Sequence, residues 1–280
     1  MPRTRTEIAE FVIASLNSLG IEAHPNSRLM WMRRVLIEAA GIIPPDHTNF
    51  EAALEADRDM QLLEYVFEQN HAKLGHPGLI RLLHKLIDDS VLPQDDREQS
   101  RGRDTQFELF VAAICQVAGF VPVDYQEPDV TSTVQGIRIG IAAKRIKSEA
   151  QVKKRIPEAA KQIQKSNLPG VIALDTSVGL NPKNERITTP ILNEQFAALH
   201  REAINRFLRR YDERIRGWVG SRGVIGIIIH DHQVRFSTDG LWWLFSMTMR
   251  FCTAEDDVGK RLFSSFEIPY VDALPNMQHL

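Results

Sequence analysis

Residues 128–146 read PDVTSTVQGIRIGIAAKRI, and the periodicity of this stretch decides the fold around it. Apolar and β-branched residues run on both sides of Gln135 and Gly136, so two strands, Asp129 to Val134 and Ile137 to Ile146, are expected to form a hairpin. Alternation puts Ile137, Ile139, Ile141 and Ala143 on one face, and Arg138, Gly140, Ala142 and Lys144 on the other. The first face is core, whereas the second ends in a lysine beside two very small residues. Pro128 keeps Asp129 in extended backbone. The hairpin then brings Asp129 close to Lys144 on the adjacent strand.

Working outward, helices and strands alternate. A helix is expected from about Asp104 to Ala118, a strand near Phe120 to Tyr125, then the hairpin. A helix from about Glu149 to Lys165 and a strand in GVIALD follow, then a long helix from about Leu192 to Trp218. Two further strands are read in GVIGIIIH (223–230) and QVRFSTDGLWWLFSMTM (233–249). Interleaved elements of this kind predict an α/β domain around one mixed sheet flanked by helices. Upstream, TEIAEFVIASLNSLG, SRLMWMRRVLIEAAG, NFEAALEADRDMQLLEYVFEQN and PGLIRLLHKLIDDSVL all carry helical spacing, with glycines and prolines as stops. The expected organisation is an all-α domain over 1–92, a polar linker over 93–103 and the α/β domain over 104–280.

Charge divides along the same lines. Residues 1–98 hold sixteen acidic against ten basic side chains, whereas 137–165 hold nine basic against two acidic. The basic stretch attracts phosphate in a salt-dependent way. On its helix Lys147, Lys154 and Lys161 share a face suited to a phosphate backbone, with Arg145 just ahead and Gln162 and Gln164 as polar neighbours. A solvated lysine-rich face is the plainer reading of the same pattern. The arginines of the later helix, Arg201, Arg206, Arg209, Arg210, Arg214 and Arg216, fit intrahelix salt bridges about as well as nucleic acid.

In the helix DTQFELFVAAICQVAGF, Glu108 lies at the margin of an apolar stripe, where a carboxylate needs a counter-ion. If Glu108 meets Asp129 and Lys144 at one end of the sheet, two carboxylates hold Mg²⁺ or Mn²⁺ and the lysine stabilises a phosphate or positions the attacking water. A helix with Glu108, EPDV with Asp129, a strand ending in Ala142, Ala143 and Lys144, and a following helix together resemble the PD-(D/E)XK nuclease superfamily over about Arg103 to Asp175. The resemblance implies a restriction-endonuclease-like fold and metal-dependent hydrolysis of DNA phosphodiesters, in a setting such as defence against foreign DNA. It also assigns roles. Asp129 is the central metal ligand, Lys144 the motif lysine and Glu108 the first-helix acid, with the Ala143 backbone carbonyl completing the metal shell. One departure stands out: the second strand acid of the family falls at Ala142, so its part must pass to Glu108, Glu127, water or substrate. An inactive nuclease-like subunit that binds DNA or a protein partner is the alternative.

Other features receive plainer expectations. HDHQ (230–233) is read as a turn between two strands rather than a metal site. Asp175 is read as a turn or capping residue, the pair Trp242 and Trp243 as core and edge packing, and Cys115 and Cys252 as buried thiols. No stretch has the ~20 apolar residues of a membrane span and no apolar signal segment opens the chain, so a cytoplasmic protein is expected. Composition, 43% hydrophobic and 25% charged, is that of a globular chain. DNA is the expected partner, with the helical domain meeting a protein; a symmetric dimer would suit double-strand cleavage, though no residue demands it.

Overall fold

A computed structural model of the chain describes residues 3–38, 50–70, 76–87, 89, 100–183, 185, 187–189, 194–220, 222–237 and 242–275. The chain forms two compact units that divide between Ala113 and Ile114. That division falls inside a helix rather than in the expected linker. Most of 93–103 lies outside the described residues, and Arg101 to Arg103 already belong to the helix.

The first unit contains α1 (Arg5–Ser18), α2 (Arg28–Glu38), α3 (Phe50–Asn70), α4 (Pro77–Leu83) and the start of α5 (Arg101–Val117). Each of the first four was expected from its apolar spacing. At the start of α1, Thr4 and Glu7 cap each other's backbone amides in a capping box. The helix then buries Ile8, Val12, Ile13 and Leu16. Helix α3 buries charge as well as apolar surface. Asp59 accepts from Arg28 Nη1 at 2.9 Å and from Arg103 Nε at 3.1 Å. Gln106 adds a bond at 3.3 Å. A carboxylate so far from water is stable there because cations and an amide surround it.

The second unit is the α/β domain. Strands β1 (Val130–Val134), β2 (Ile137–Arg145), β3 (Gly170–Asp175), β4 (Ile187–Thr189), β5 (Val224–Ser237) and β6 (Trp242–Cys252) make one six-stranded mixed sheet. β1 and β2 form the expected hairpin, Val130 opposite Ile141 and Val134 opposite Ile137. Gln135 and Gly136 both have positive φ, which is why a glycine serves there. Helix α6 (Glu149–Ser166) carries the chain across to β3, parallel to β2, and β5 is parallel to β3. Along its other edge β5 pairs with antiparallel β6. The short helix α7 (Ser177–Leu180) follows β3, α8 (Glu194–Val219) precedes β5, and α9 (Asp257–Asp272) closes the unit.

Helices α6 and α8 cover one sheet face, where Ile156, Ala160, Ile163, Ile204 and Ile215 pack with Ala142, Ile172, Leu174, Ile227 and Ile229. On α9, Phe266 stacks on Phe120, and the ring of Phe263 lies where a side chain on Gly226 would be.

Three expectations change. No strand forms at Phe120 to Tyr125; a lone bridge joins Asp124 to Thr131, and Pro122 has no N–H for a ladder. Helix α9 was not foreseen. HDHQ is no turn: His230, Asp231, His232 and Gln233 lie within β5, all buried and paired with β6. The side chains of His230, Asp231 and Gln233 persist there because other segments supply partners, Ser177 O taking the Gln233 amide at 2.9 Å. His230 Nε2 meets the Tyr270 hydroxyl at 2.9 Å, and Asp231 meets His200 Nε2 at 2.7 Å and the Thr176 hydroxyl at 2.8 Å. Cys115 is buried as expected, whereas Cys252 is half-buried. The side chains of Trp242 and Trp243 fall outside the described set.

Candidate functional site

Backbone phase explains how Asp129 reaches Lys144. Gly140 N donates to Pro169 and Ile146 N to Asp175, so the even-numbered residues of β2 turn their backbone groups toward β3. The odd-numbered ones turn toward β1. β1 begins only at Val130, opposite Ile141, so no strand residue meets the N–H of Ala143. The Asp129 carboxylate takes that place: its Oδ2 accepts from Ala143 N at 2.9 Å and from Lys144 Nζ at 2.6 Å. Both side chains are largely shielded, at 11% exposure for Lys144 and 13% for Asp129. Burial pushes the Asp129 carboxyl up, and the Lys144 charge works against that rise. Glu127, exposed nearby, adds a weaker upward push.

The expected site is assembled in part. Asp129 and Lys144 are together; Glu108 is half-buried on α5, within the first unit. Ala142 is fully buried in the apolar layer under α6 and α8. A carboxylate at that position would lie among Ile172, Leu174 and Ile227 rather than in water. Among the described residues, no group of three or more His, Cys, Asp or Glu side chains is placed to hold a metal ion. The residues present therefore do not make the set of two strand acids that the resemblance implies. What the unit offers a cation is narrower. Asp129 Oδ1 accepts no hydrogen bond from the described residues, and Glu127 stands within electrostatic reach.

The expected nucleic-acid contacts divide too. Lys154 and Lys161 are exposed on α6, beside exposed Lys153 and Lys165. Lys147 precedes the helix and is half-buried, its backbone N–H donating to Gln151 at 2.9 Å. Arg145 departs from the expectation. It is buried to 6% exposure, with Nε 3.1 Å from Asp175 Oδ2, so its charge is spent inside the fold. Asp175 also accepts from the backbone and hydroxyl of Ser177 and so holds the start of α7, the turn role expected of it. Burial would raise its carboxyl, but Arg145, His232 and Ser177 together keep it below the usual carboxylate range.

Sequence reasoning missed one group of residues near this end of the sheet. Ile146, Ser148, Glu149, Val152, Leu180, Phe207, Arg210 and Tyr211, from four separate segments, line one cleft. Only the arginine spacing of α8 signalled any of it.

Comparison of the chain with family models, with curated proteins and with solved structures gave no match. Among the described residues no helix is long and apolar enough to cross a membrane.

Proposed function

We propose that the second unit binds nucleic acid through the basic face of α6, on a core that resembles the PD-(D/E)XK nucleases without their second strand acid. The observation that carries this reading is Ala142, buried in the apolar layer at the place that acid would take. Charge supports the ligand class. Lys153, Lys154, Lys161 and Lys165 are exposed along one helix, and exposed cations in a row release counterions when they meet phosphates. The Asp129–Lys144 pair acts in this reading as an internal staple. It ties the chain before β1 to the end of β2 and so holds the start of α6 in place.

A second reading, a metal-dependent nuclease acting on DNA with Mg²⁺ or Mn²⁺, is favoured by one observation. Asp129 keeps Oδ1 uncommitted beside Lys144, with Glu127 near.

One experiment separates them. Labelled duplex and single-stranded DNA are titrated with the full-length protein at several salt concentrations, with Mg²⁺, Mn²⁺ or chelator, and the products are run on a denaturing gel. Four phosphate contacts predict a slope of about −3 to −4 in log affinity against log salt, unchanged by chelator and without cleavage. Metal-dependent cutting that Lys144→Ala abolishes would replace this reading with the nuclease. Absence of binding at low salt would sink both.

A further inference from the structure

The cleft between the end of β2, the start of α6, α7 and α8 has a volume of about 240 Å³. Whole small-molecule sites begin at roughly 300 Å³, so it suits one group of a larger ligand better than a complete free one. Its wall is apolar and aromatic. Ile146, Val152, Leu180 and Ala203 line it with Phe207 and Tyr211, whose rings lie 5.3 Å apart at 50°. Its rim is cationic. Arg206 and Arg210 are both exposed there, and Arg206 makes no ion pair among the described residues.

One carboxylate shares that rim. Glu149 stands 3.9 Å from Arg210. Lys153 and Arg214 are close enough to act on it as well. Four cations, Arg206, Arg210, Arg214 and Lys153, therefore outnumber it. Ser148, at the start of α6, also lines the cleft and makes no capping bond with its hydroxyl.

A flat ring with an anion attached is the chemistry that fits both wall and rim. Resting on the reading that this unit binds nucleic acid, we infer that the cleft receives one unstacked base of a single-stranded nucleic acid, with its flanking phosphate on Arg206 and Arg210. A base inside a duplex is stacked on both sides and cannot enter. Aromatic walls hold bases of any sequence, because every base presents a π-face. The unit should therefore prefer single strands over duplexes without reading sequence.

Two measurements on the full-length protein test this. In the first, a fluorescent single-stranded 12-mer of DNA or RNA and a duplex of about that length are titrated against the native protein and Ala203→Trp. The substitution fills the cleft while leaving every charge in place. Single-strand affinity should fall about tenfold, the order that loss of one stacked base gives, while duplex affinity stays within about twofold. Unchanged single-strand affinity in Ala203→Trp, with duplex binding intact, overturns the cleft and leaves the nucleic-acid reading standing. Failure of the native protein to bind either probe overturns both. The second measurement needs no variant. A single-stranded oligonucleotide carrying 5-iodouracil is photocross-linked and the attachment mapped by mass spectrometry. Attachment at Phe207 or Tyr211 supports the assignment, and attachment confined to other segments overturns it.

Discussion

Asp129 and Lys144, fifteen residues apart in the chain, stand 2.6 Å apart at the end of the β1–β2 hairpin, and the same carboxylate oxygen also takes the backbone N–H of Ala143. Two partners on one oxygen make this pair a structural element whatever chemistry it serves. Removing the lysine leaves a shielded carboxylate with its backbone bond alone. Lys144→Met should lower stability by about 3 kcal/mol, the order found when one partner of a buried ion pair is lost. The double variant Asp129→Asn, Lys144→Met should recover at least half of that. Urea denaturation gives both numbers, and a single variant as stable as the native protein would remove the staple from the account.

His230 makes stability depend on acid. Burial holds its imidazole at about 3, against about 6.5 in an unfolded chain. Between those values the unfolded state binds more protons than the folded one. Stability therefore falls as pH is lowered from about 6.5 toward 3, by up to about 1.4 kcal/mol per pH unit from this group. In His230→Gln that component should vanish. Urea midpoints measured at a series of pH values for both proteins decide it, and parallel curves would count against the assignment.

The helical unit depends on Asp59, to which Arg28, Arg103 and Gln106 converge. Asp59→Asn removes the carboxylate that the buried guanidiniums of Arg28, Arg58 and Arg103 share. A loss of about 3 kcal/mol is expected. Thermal melting with limited proteolysis would show whether cleavage sites open first in residues 1–113, as this predicts, or elsewhere.

Gly226 lies against α9. A Cβ there would sit 2.0 Å from the ring of Phe263, which is 2% exposed and has little room to move. Gly226→Ala should cost about 2 kcal/mol through overpacking, and Phe263→Leu in the same chain should restore part of it. Melting temperatures of the two variants provide the check.

Much of this molecule was legible in the chain. Period-two alternation in 128–146 predicted the hairpin and the meeting of Asp129 with Lys144, because strand geometry and a two-residue turn leave few registers. Apolar spacing likewise predicted α1 to α4, α6 and α8. Glu108 was another matter. Periodicity placed it on a helix margin, but which side chains it meets is a question of packing between segments.

What the sequence determined by itself was local: helices where apolar residues recur every three to four positions, strands where they alternate, turns at glycine. What only the tertiary structure decided was the fate of polar groups. HDHQ looked like a turn because four polar residues in a row lack an apolar face, yet His200, Thr176 and Tyr270 come from distant segments to satisfy His230 and Asp231 inside β5. Arg145 looked like a phosphate contact until Asp175, thirty residues on, enclosed it. The cleft of Phe207 and Tyr211 exists only where four segments meet. A buried polar side chain is stable or not according to its partner, and that partner is chosen by the fold rather than by its neighbours in the chain.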